Sequence, residues 1–210
     1  MVTGVGFGDS TMDSNKLILF DWDNTISQRN GCVDLARFKD VIEHATRKGW
    51  SIGLNSDTPL KRLQSWYESL GMNGPIIAEK GAVVWTPAHE QVIVSQTQAV
   101  FAKLRADVAH LLIETPGITV YFGDNTEFIR TVSSIGGADS TLVAVDAFRV
   151  CSLGLFIRQV ANGVLNQSSP ASQRVVELIQ SIAIDHPAVS KIVRLNDSYG
   201  FASIAACDCG

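Results

Sequence analysis

Two aspartates and a threonine follow a short apolar run near the start of the chain, in the order Asp21-Trp22-Asp23-Asn24-Thr25. Two carboxylates at positions i and i+2 can both offer oxygens to a hard cation such as Mg²⁺. One carboxylate can attack phosphorus as a nucleophile while the other moves protons. The spacing therefore predicts a phosphoryl-transfer site at Asp21 and Asp23. The alternative is a structural turn, and the surrounding elements decide between the two.

The elements around these residues alternate between strand and helix. Short apolar runs bounded by turn residues predict buried strands, and apolar residues at helical spacing predict helices between them. The predicted strands lie at 16–20, 50–54 and 75–78, and the predicted helices at 35–45 and 60–70. This order predicts a Rossmann-like α/β core with a parallel sheet, in which ligands gather at the carboxyl ends of the strands. The two aspartates lie at such an end.

The second predicted strand also ends in polar residues, Asn55 and Ser56. Neighbouring parallel strands end at the same edge of a sheet, so Ser56 is expected near Asp21. Position alone makes it a candidate site residue. Its alternative role is that of a plain helix N-cap.

The segment from Phe20 to Thr25 resembles the first motif of the haloacid-dehalogenase superfamily of phosphatases. The resemblance implies that Asp21 forms an aspartyl-phosphate and binds Mg²⁺. It also implies that Asp23 acts as acid and base and helps to hold the metal, and that Thr25 steadies the substrate loop rather than reacting.

The second motif of this superfamily is a Ser or Thr at the end of the second strand, which hydrogen-bonds the transferring phosphoryl group. Ser56 is the expected counterpart in this chain. Asn55 directly follows the apolar run, where many relatives place the hydroxyl residue, and it is the alternative donor.

The segment from Gly74 to Val84 resembles the strand and turn that lead into a large α+β cap in one branch of the superfamily. That branch includes Cof-like sugar phosphatases and phosphoglycolate phosphatases. Lys80 replaces the Asn of many relatives, and it is expected either to reach the substrate phosphate or to be structural. Gly81 is expected to adopt a positive φ at the sharp exit from the sheet.

The resemblance implies three segments, namely the N-terminal part of the core at 1–81, the inserted cap at 82–206 and the start of a return to the core at 207–210. Apolar and turn patterns predict the elements of the cap. They are a hairpin at 82–94, a helix at 97–113, strands at 118–122 and 153–160, a helix at 171–184 and a hairpin at 191–205.

An alternative architecture has no cap. Gly123-Asp124 at the end of an apolar run resembles the last metal motif of the superfamily, and Lys103 precedes it at a spacing suited to the phosphate-binding lysine. Together they would complete a small enzyme. The segment at 79–82 and the hairpin after it favour the cap.

Charge and composition favour a small substrate. The chain has 17 Lys and Arg residues against 21 Asp and Glu residues, a net charge of −4. Such a chain, without a basic run, is poorly suited to bind nucleic acid or an anionic membrane. No stretch reaches the roughly 18 apolar residues that span a bilayer, and the first residues do not resemble a signal peptide. We therefore expect a cytoplasmic protein; the sequence makes no prediction of its oligomeric state.

Motif and resemblance together predict an Mg²⁺-dependent phosphatase that acts through an aspartyl-phosphate on a small phosphorylated metabolite, such as a sugar phosphate or a phosphoglycolate-like compound. Two alternatives stay open. A phosphosugar mutase would return the phosphoryl group to another hydroxyl, and a catalytically silent binding protein would use the same fold without turnover.

The C-terminal part of the core is expected to lie beyond this chain. In the branch it resembles, a hairpin closes the cap and leads back to a Lys and a strand ending in Gly-Asp, which complete the phosphate and metal site. The runs at 191–195 and 201–205 resemble that hairpin, and the sequence ends at Gly210. Only three core strands are then predicted. Such a chain is expected to expose an apolar sheet edge, bind Mg²⁺ weakly and hydrolyse little.

Overall fold

The chain folds into two β-sheets with helices packed on them. The computed structural model describes residues 16–23, 25–27, 34–93, 98–123, 140–161, 164–183, 189–196 and 200–206. Among these residues it is a mixed α/β protein with parallel strand pairs, as predicted. No helix in this part of the chain is long and apolar enough to span a bilayer.

The first module alternates strands and helices before it ends in a hairpin. Its elements are β1 (Lys16–Phe20), α1 (Leu35–Arg47), β2 (Trp50–Asn55), α2 (Leu60–Leu70), β3 (Ile76–Ala78), a 3₁₀ turn (Glu79–Gly81), β4 (Val83–Thr86) and β5 (His89–Ile93). Asp34 begins α1, where its carboxylate accepts hydrogen bonds from the N–H groups of Ala36 and Arg37. Gly71 ends α2 in the left-handed conformation with φ 69°.

The strands of this first sheet lie in the order β1-β2-β3-β4-β5. β1 pairs with β2 and β2 with β3 in parallel, so the predicted β-α-β-α-β unit is confirmed. β1 lies at one edge of the described sheet, and Leu17 on it is 51% exposed.

The hairpin of β4 and β5 extends the first sheet, which therefore has five strands among the described residues where the sequence predicts three. The turn at 79–81 reverses the chain, and β4 then pairs antiparallel with β3, with Ile76 opposite Trp85. This pairing covers the edge that β3 would otherwise leave open. By sheet membership, the first module therefore extends to Ile93 rather than ending at Gly81.

The second module forms a sheet of its own. Its elements are α3 (Gln98–Glu114), β6 (Ile118–Gly123), β7 (Ser140–Asp146), β8 (Ser152–Ala161), β9 (Val164–Asn166), α4 (Ser169–Ala183), β10 (Val189–Asn196) and β11 (Phe201–Ala206). The strand order is β10-β11-β8-β7-β6, with β9 paired to β8. β6 and β7 are parallel, while the pairs of β8 with β7, β9 and β11 are antiparallel.

Each module has buried apolar clusters, and the cluster of the first module includes a residue of the second. α3 and α4 pack on one face of the second sheet, around Phe101, Val143 and Leu155, all fully buried. The core of the first module gathers the apolar faces of α1 and α2. It also takes in Cys151, from the turn before β8, which is fully buried there. The turn at 147–151 is thus docked onto the first module.

Candidate active site

The loop after β1 presents two carboxylates to solvent. Trp22 and Ile26 are 5% and 2% exposed and anchor the loop in the core. The N–H groups of Ile26 and Ser27 donate to the carbonyl of Trp22 at 3.1 and 2.9 Å, which closes a tight turn. With Trp22 turned inward, both flanking aspartates are exposed.

Two further contacts fix this loop. The Trp22 ring stacks on Trp66 of α2, with ring centroids 4.7 Å apart. The Thr25 hydroxyl donates to Oδ2 of Asp21 at 3.2 Å. Thr25 thus touches the carboxylate for which the motif predicts a supporting role.

Asp23 is tied to the end of β2 by two hydroxyl groups. Ser56 Oγ and Thr58 Oγ1 both donate to Oδ2 of Asp23, at 3.1 and 2.7 Å. Ser56 Oγ also accepts from the N–H of Thr58 at 3.1 Å. The structure therefore brings Ser56 to the loop after β1, where its hydrogen-bond partner is Asp23, two residues after the Asp21 near which the sequence predicts it. Thr58 was not predicted, although its hydroxyl two residues after Ser56 was visible in the sequence.

The helix N-cap alternative for Ser56 is wrong, because α2 begins at Leu60 after Pro59, and no side chain caps it. Ser56 is 5% exposed, and its N–H donates to the carbonyl of Ile77 in β3 at 2.9 Å. Asn55 is the last residue of β2, where its backbone pairs with Ile77, and it is exposed.

The turn at Glu79, Lys80 and Gly81 has an unusual backbone. All three residues have positive φ, at 50°, 59° and 92°, so the prediction for Gly81 is confirmed. For the two residues that carry a Cβ, this conformation costs roughly 1–2 kcal/mol each. Lys80 Nζ lies 3.9 Å from Oδ2 of Asp57, the residue between Ser56 and Thr58.

The turn before β8 brings charged side chains of the second module to the same place. Arg149 NH1 lies 3.2 Å from Oδ1 of Asp57, and Arg149 Nε lies 3.6 Å from Oδ2 of Asp146. Arg62 of α2 reaches the same Asp146 oxygen at 3.0 Å. Ion pairs therefore join the two modules beside the loop that holds Asp23. Arg149 could not be predicted as a partner of Asp57, because 92 residues separate the two along the chain.

Glu79 forms the most buried link between the modules. It is 2% exposed, and its Oε1 accepts from the N–H of Val150 at 2.8 Å. Its Oε2 accepts from the N–H of Cys151 at 3.0 Å and from Ser152 Oγ at 2.6 Å. Burial lowers the pKa of nearby Arg105, while the negative charges of Glu79 and Asp146 oppose that shift.

Glu79→Gln is expected to lower the free energy of unfolding by about 2–3 kcal/mol. The amide places an NH₂ where a carboxylate oxygen accepts, so at least one buried donor loses its partner. Urea unfolding followed by tryptophan fluorescence measures the change. Glu68→Gln, at an exposed position of α2, is the matched control and should change stability by less than about 0.5 kcal/mol. Equal stability of the two variants would contradict the role of Glu79.

The capless alternative depends on Lys103 and Asp124. β6 belongs to the second sheet, and Asp124, which follows it, lies outside the described residues. Lys103 is on α3, where its Nζ pairs with Asp107 at 2.6 Å. Within the described ranges no three His, Cys, Asp or Glu side chains cluster as a metal site. The motif predicts Asp21 and Asp23, next to β1, as the residues that bind the metal.

Comparison with solved structures agrees with this fold. A protein from Thermoplasma acidophilum matches 92% of the chain with a TM-score of 0.53 and 12% identity. A haloacid dehalogenase-like hydrolase from Bacteroides thetaiotaomicron matches 92% with a TM-score of 0.55 and 12% identity. A trehalose-6-phosphate phosphatase related protein matches 91% with a TM-score of 0.51 and 11% identity. The chain spans 65%, 71% and 68% of their lengths, less than two thirds in the first case.

Sequence comparison identifies the family. A search of curated proteins found no significant match. The sequence model of the haloacid dehalogenase-like hydrolases matches residues 18–128, more than half of the chain. The matched range contains both aspartates after β1, the hydroxyl residues after β2 and the turn at 79–81. The chain belongs to the haloacid dehalogenase-like hydrolases.

Proposed function

We propose that this protein is an Mg²⁺-dependent phosphatase that hydrolyses a small phosphate monoester through an aspartyl-phosphate on Asp21. The proposal rests on Asp23, one of two exposed carboxylates after β1, which accepts hydrogen bonds from two hydroxyl groups after β2. Ser56 and Thr58 both donate to Asp23, so the acid/base group is held by fixed partners next to the nucleophile.

The reaction has two steps in this proposal. In the first, a carboxylate oxygen of Asp21 attacks phosphorus, the bond from phosphorus to the leaving oxygen breaks, and Asp23 gives that oxygen its proton. In the second, water attacks the phosphorus of the aspartyl-phosphate and Asp23 takes a proton from the water. The bond between Asp21 and phosphorus then breaks, which releases phosphate and restores both carboxyl groups.

The residues present fit a magnesium ion. Mg²⁺ is usually held by one or two protein carboxylates, with water and phosphate oxygens completing its shell. Asp21 supplies an exposed carboxylate at the end of β1, with one oxygen outside its hydrogen bond to Thr25, and the backbone carbonyl of Asp23 would be the second protein ligand. When bound, the ion supplies charge neutralisation for the transferring phosphoryl group.

The remaining polar residues would serve the phosphoryl group. Ser56 is the proposed donor to a phosphoryl oxygen when substrate is bound, and Thr58 then keeps its hydrogen bond to Asp23. Lys80, about a quarter exposed and 3.9 Å from Asp57, supplies positive charge beside that loop. Asn55 is exposed at the end of β2 and stays the alternative donor. Thr25 is proposed to hold Asp21 through its hydroxyl hydrogen bond.

The second module is proposed to act as the cap. We propose that it starts after Ile93, the last residue of β5 in the first sheet, rather than at residue 82 as the sequence predicts. Its ion pairs with the first module, Arg149 with Asp57 and Asp146 with Arg62, lie beside the Asp23 loop. A module held there can exclude water and choose the leaving group, which favours a small phosphorylated metabolite over a macromolecule.

Release of phosphate from p-nitrophenyl phosphate tests the proposal. The purified protein is expected to hydrolyse it with Mg²⁺ present, to stop when EDTA is added and to recover when excess Mg²⁺ is restored. Hydrolysis that continues at the same rate in EDTA would contradict the metal assignment. No hydrolysis would favour a catalytically silent binding protein. With a labelled sugar phosphate, transfer of the label to another hydroxyl instead of release would favour a mutase.

A further inference from the structure

A chain of contacts runs from the second module to Asp23. Its first link is Glu79, whose buried carboxylate takes three hydrogen bonds from residues 150–152. These bonds fix the turn that carries Arg149. The left-handed backbone of Glu79 and Lys80 is a cost that the fold tolerates here, as strained turns are at functional sites.

The second link is the guanidinium group of Arg149, which is 4% exposed and held from several sides. Arg149 NH1 donates to Ser152 Oγ at 3.0 Å, and the guanidinium carbon lies 5.6 Å from the centre of the Phe201 ring. Gly154 makes room for it, because a Cβ on Gly154 would lie 2.5 Å from Arg149 Nε. Ser152, Gly154 and Phe201 therefore form a cradle around the side chain of Arg149.

The third link is Asp57, which joins this cradle to the first module. Arg149 NH1 lies 3.2 Å from Oδ1 of Asp57. Asp57 stands between Ser56 and Thr58, the two residues that donate to Asp23. A shift of Arg149 would move Asp57, and with it both hydroxyl groups that orient Asp23.

We propose that Arg149 is a positioning residue for proton transfer, which acts through Asp57 and the 56–58 loop to hold Asp23 toward the leaving oxygen. The inference rests on the proposed function. It predicts that Asp23 gives its proton efficiently only while the second module is docked. If Asp23 is oriented only while the second module is docked, formation of the aspartyl-phosphate would not begin in a site that is open to water.

The test compares two leaving groups in kcat/KM, which covers the steps up to leaving-group departure. Nitrophenolate departs from p-nitrophenyl phosphate without a proton, whereas the alkoxide of glycerol phosphate needs one. Arg149→Met is expected to lower kcat/KM on glycerol phosphate about 100-fold, the low end of what acid catalysis contributes, and on p-nitrophenyl phosphate less than about 3-fold. Gly154→Ala, which keeps the arginine and displaces it, should give the same pattern.

Arg174→Met is the matched control. Arg174 is exposed on α4, where it donates to the carbonyl of Pro116, and Arg174→Met should leave kcat/KM on both substrates unchanged. An equal fall on both substrates in Arg149→Met and Gly154→Ala would show a merely structural role and overturn the proposal. No fall on either substrate would overturn it too.

Hydrogen exchange separates this proposal from the proposed function. A peptide that spans residues 55–60 should exchange faster in Arg149→Met than in the wild type or in Arg174→Met, whether or not the protein is active. If the wild type hydrolyses neither ester, the proposed function fails while faster exchange still supports the positioning role. Unchanged exchange in that peptide overturns the role.

Discussion

Asp21→Asn is expected to lower kcat on p-nitrophenyl phosphate by at least about 10⁴-fold, the scale seen when the nucleophile of a catalytic unit is removed. The amide cannot form the covalent bond to phosphorus on which both steps depend. The Thr25 hydroxyl can still donate to the amide oxygen, so the contact at 3.2 Å does not require the charge. Steady-state release of nitrophenol measures the loss.

The matched control for this substitution is Asp40→Asn, the same chemical change at an exposed position of α1. Its activity and its midpoint of urea unfolding should equal those of the wild type, and Asp21→Asn should share that midpoint. Substantial turnover by Asp21→Asn would remove Asp21 from the nucleophile role. A lowered midpoint would instead assign the loss of activity to misfolding.

Asp23→Asn is expected to lower kcat by about 10²–10⁴-fold, the range that general acid–base catalysis usually contributes. Its effect differs from that of Asp21→Asn, because the first step on p-nitrophenyl phosphate needs no proton donor. The second step needs a base, so the aspartyl-phosphate should accumulate. Rapid mixing should therefore show a stoichiometric burst of nitrophenol followed by slow turnover.

The side-chain shape of Asp23 is kept in this variant, and the Ser56 and Thr58 hydroxyls can still donate to its amide oxygen. A loss of activity is then assigned to proton transfer rather than to loop collapse. A variant with no burst and a slow first step would contradict the assignment of Asp23 to the second step. Wild-type kcat would remove Asp23 from the mechanism.

Much of the first module could be predicted from local patterns. Apolar runs predict the strands that end before Asp21 and at Asn55, and apolar residues at helical spacing predict the helix after Asp34. The alternation of strand and helix then predicts that the strands are parallel. That order also brings Ser56 next to Asp23, since parallel strands end at one edge. The contact at 3.1 Å is therefore a consequence of topology that the sequence already contains.

Sheet membership of the hairpin could not be predicted in this way. The residues of β4 and β5 predict two paired strands, but nothing within them says which sheet they join. The pairing of Ile76 with Trp85 decides it, and that pairing depends on three left-handed residues at the turn. Two of them, Glu79 and Lys80, are not glycine, so the turn had no simple sequence signature.

β7 was missed although its sequence carried a signal. Leu142 to Val145 is a continuous apolar run, and all four residues are buried, Leu142 and Ala144 in one cluster and Val143 and Val145 in another. Such runs are ambiguous between strand and buried helix when no alternation marks a face. Here the strand lies between β6 and β8, and alternate residues of the run are buried in two different clusters.

The contacts between the two modules could not be predicted from the sequence. Glu79 and Val150 are 71 residues apart, and Asp57 and Arg149 are 92 apart. Neither pair shares a motif or a period; Asp57, Glu79 and Arg149 are ordinary charged side chains in the sequence, and Val150 takes part only through its backbone N–H. Only the fold shows that a buried carboxylate and a buried guanidinium meet at one turn.

The aspartyl-phosphate itself is the most direct test of the central claim, that phosphoryl transfer passes through Asp21. The protein is mixed with Mg²⁺ and a phosphate monoester, quenched in acid within the first turnover, and digested for mass spectrometry. An acid-stable, hydroxylamine-labile phosphoryl group is expected on the peptide that contains Asp21, more abundant in Asp23→Asn and absent from Asp21→Asn. Turnover with no phosphorylated Asp21 peptide, or a phosphoryl group on another residue, would contradict it.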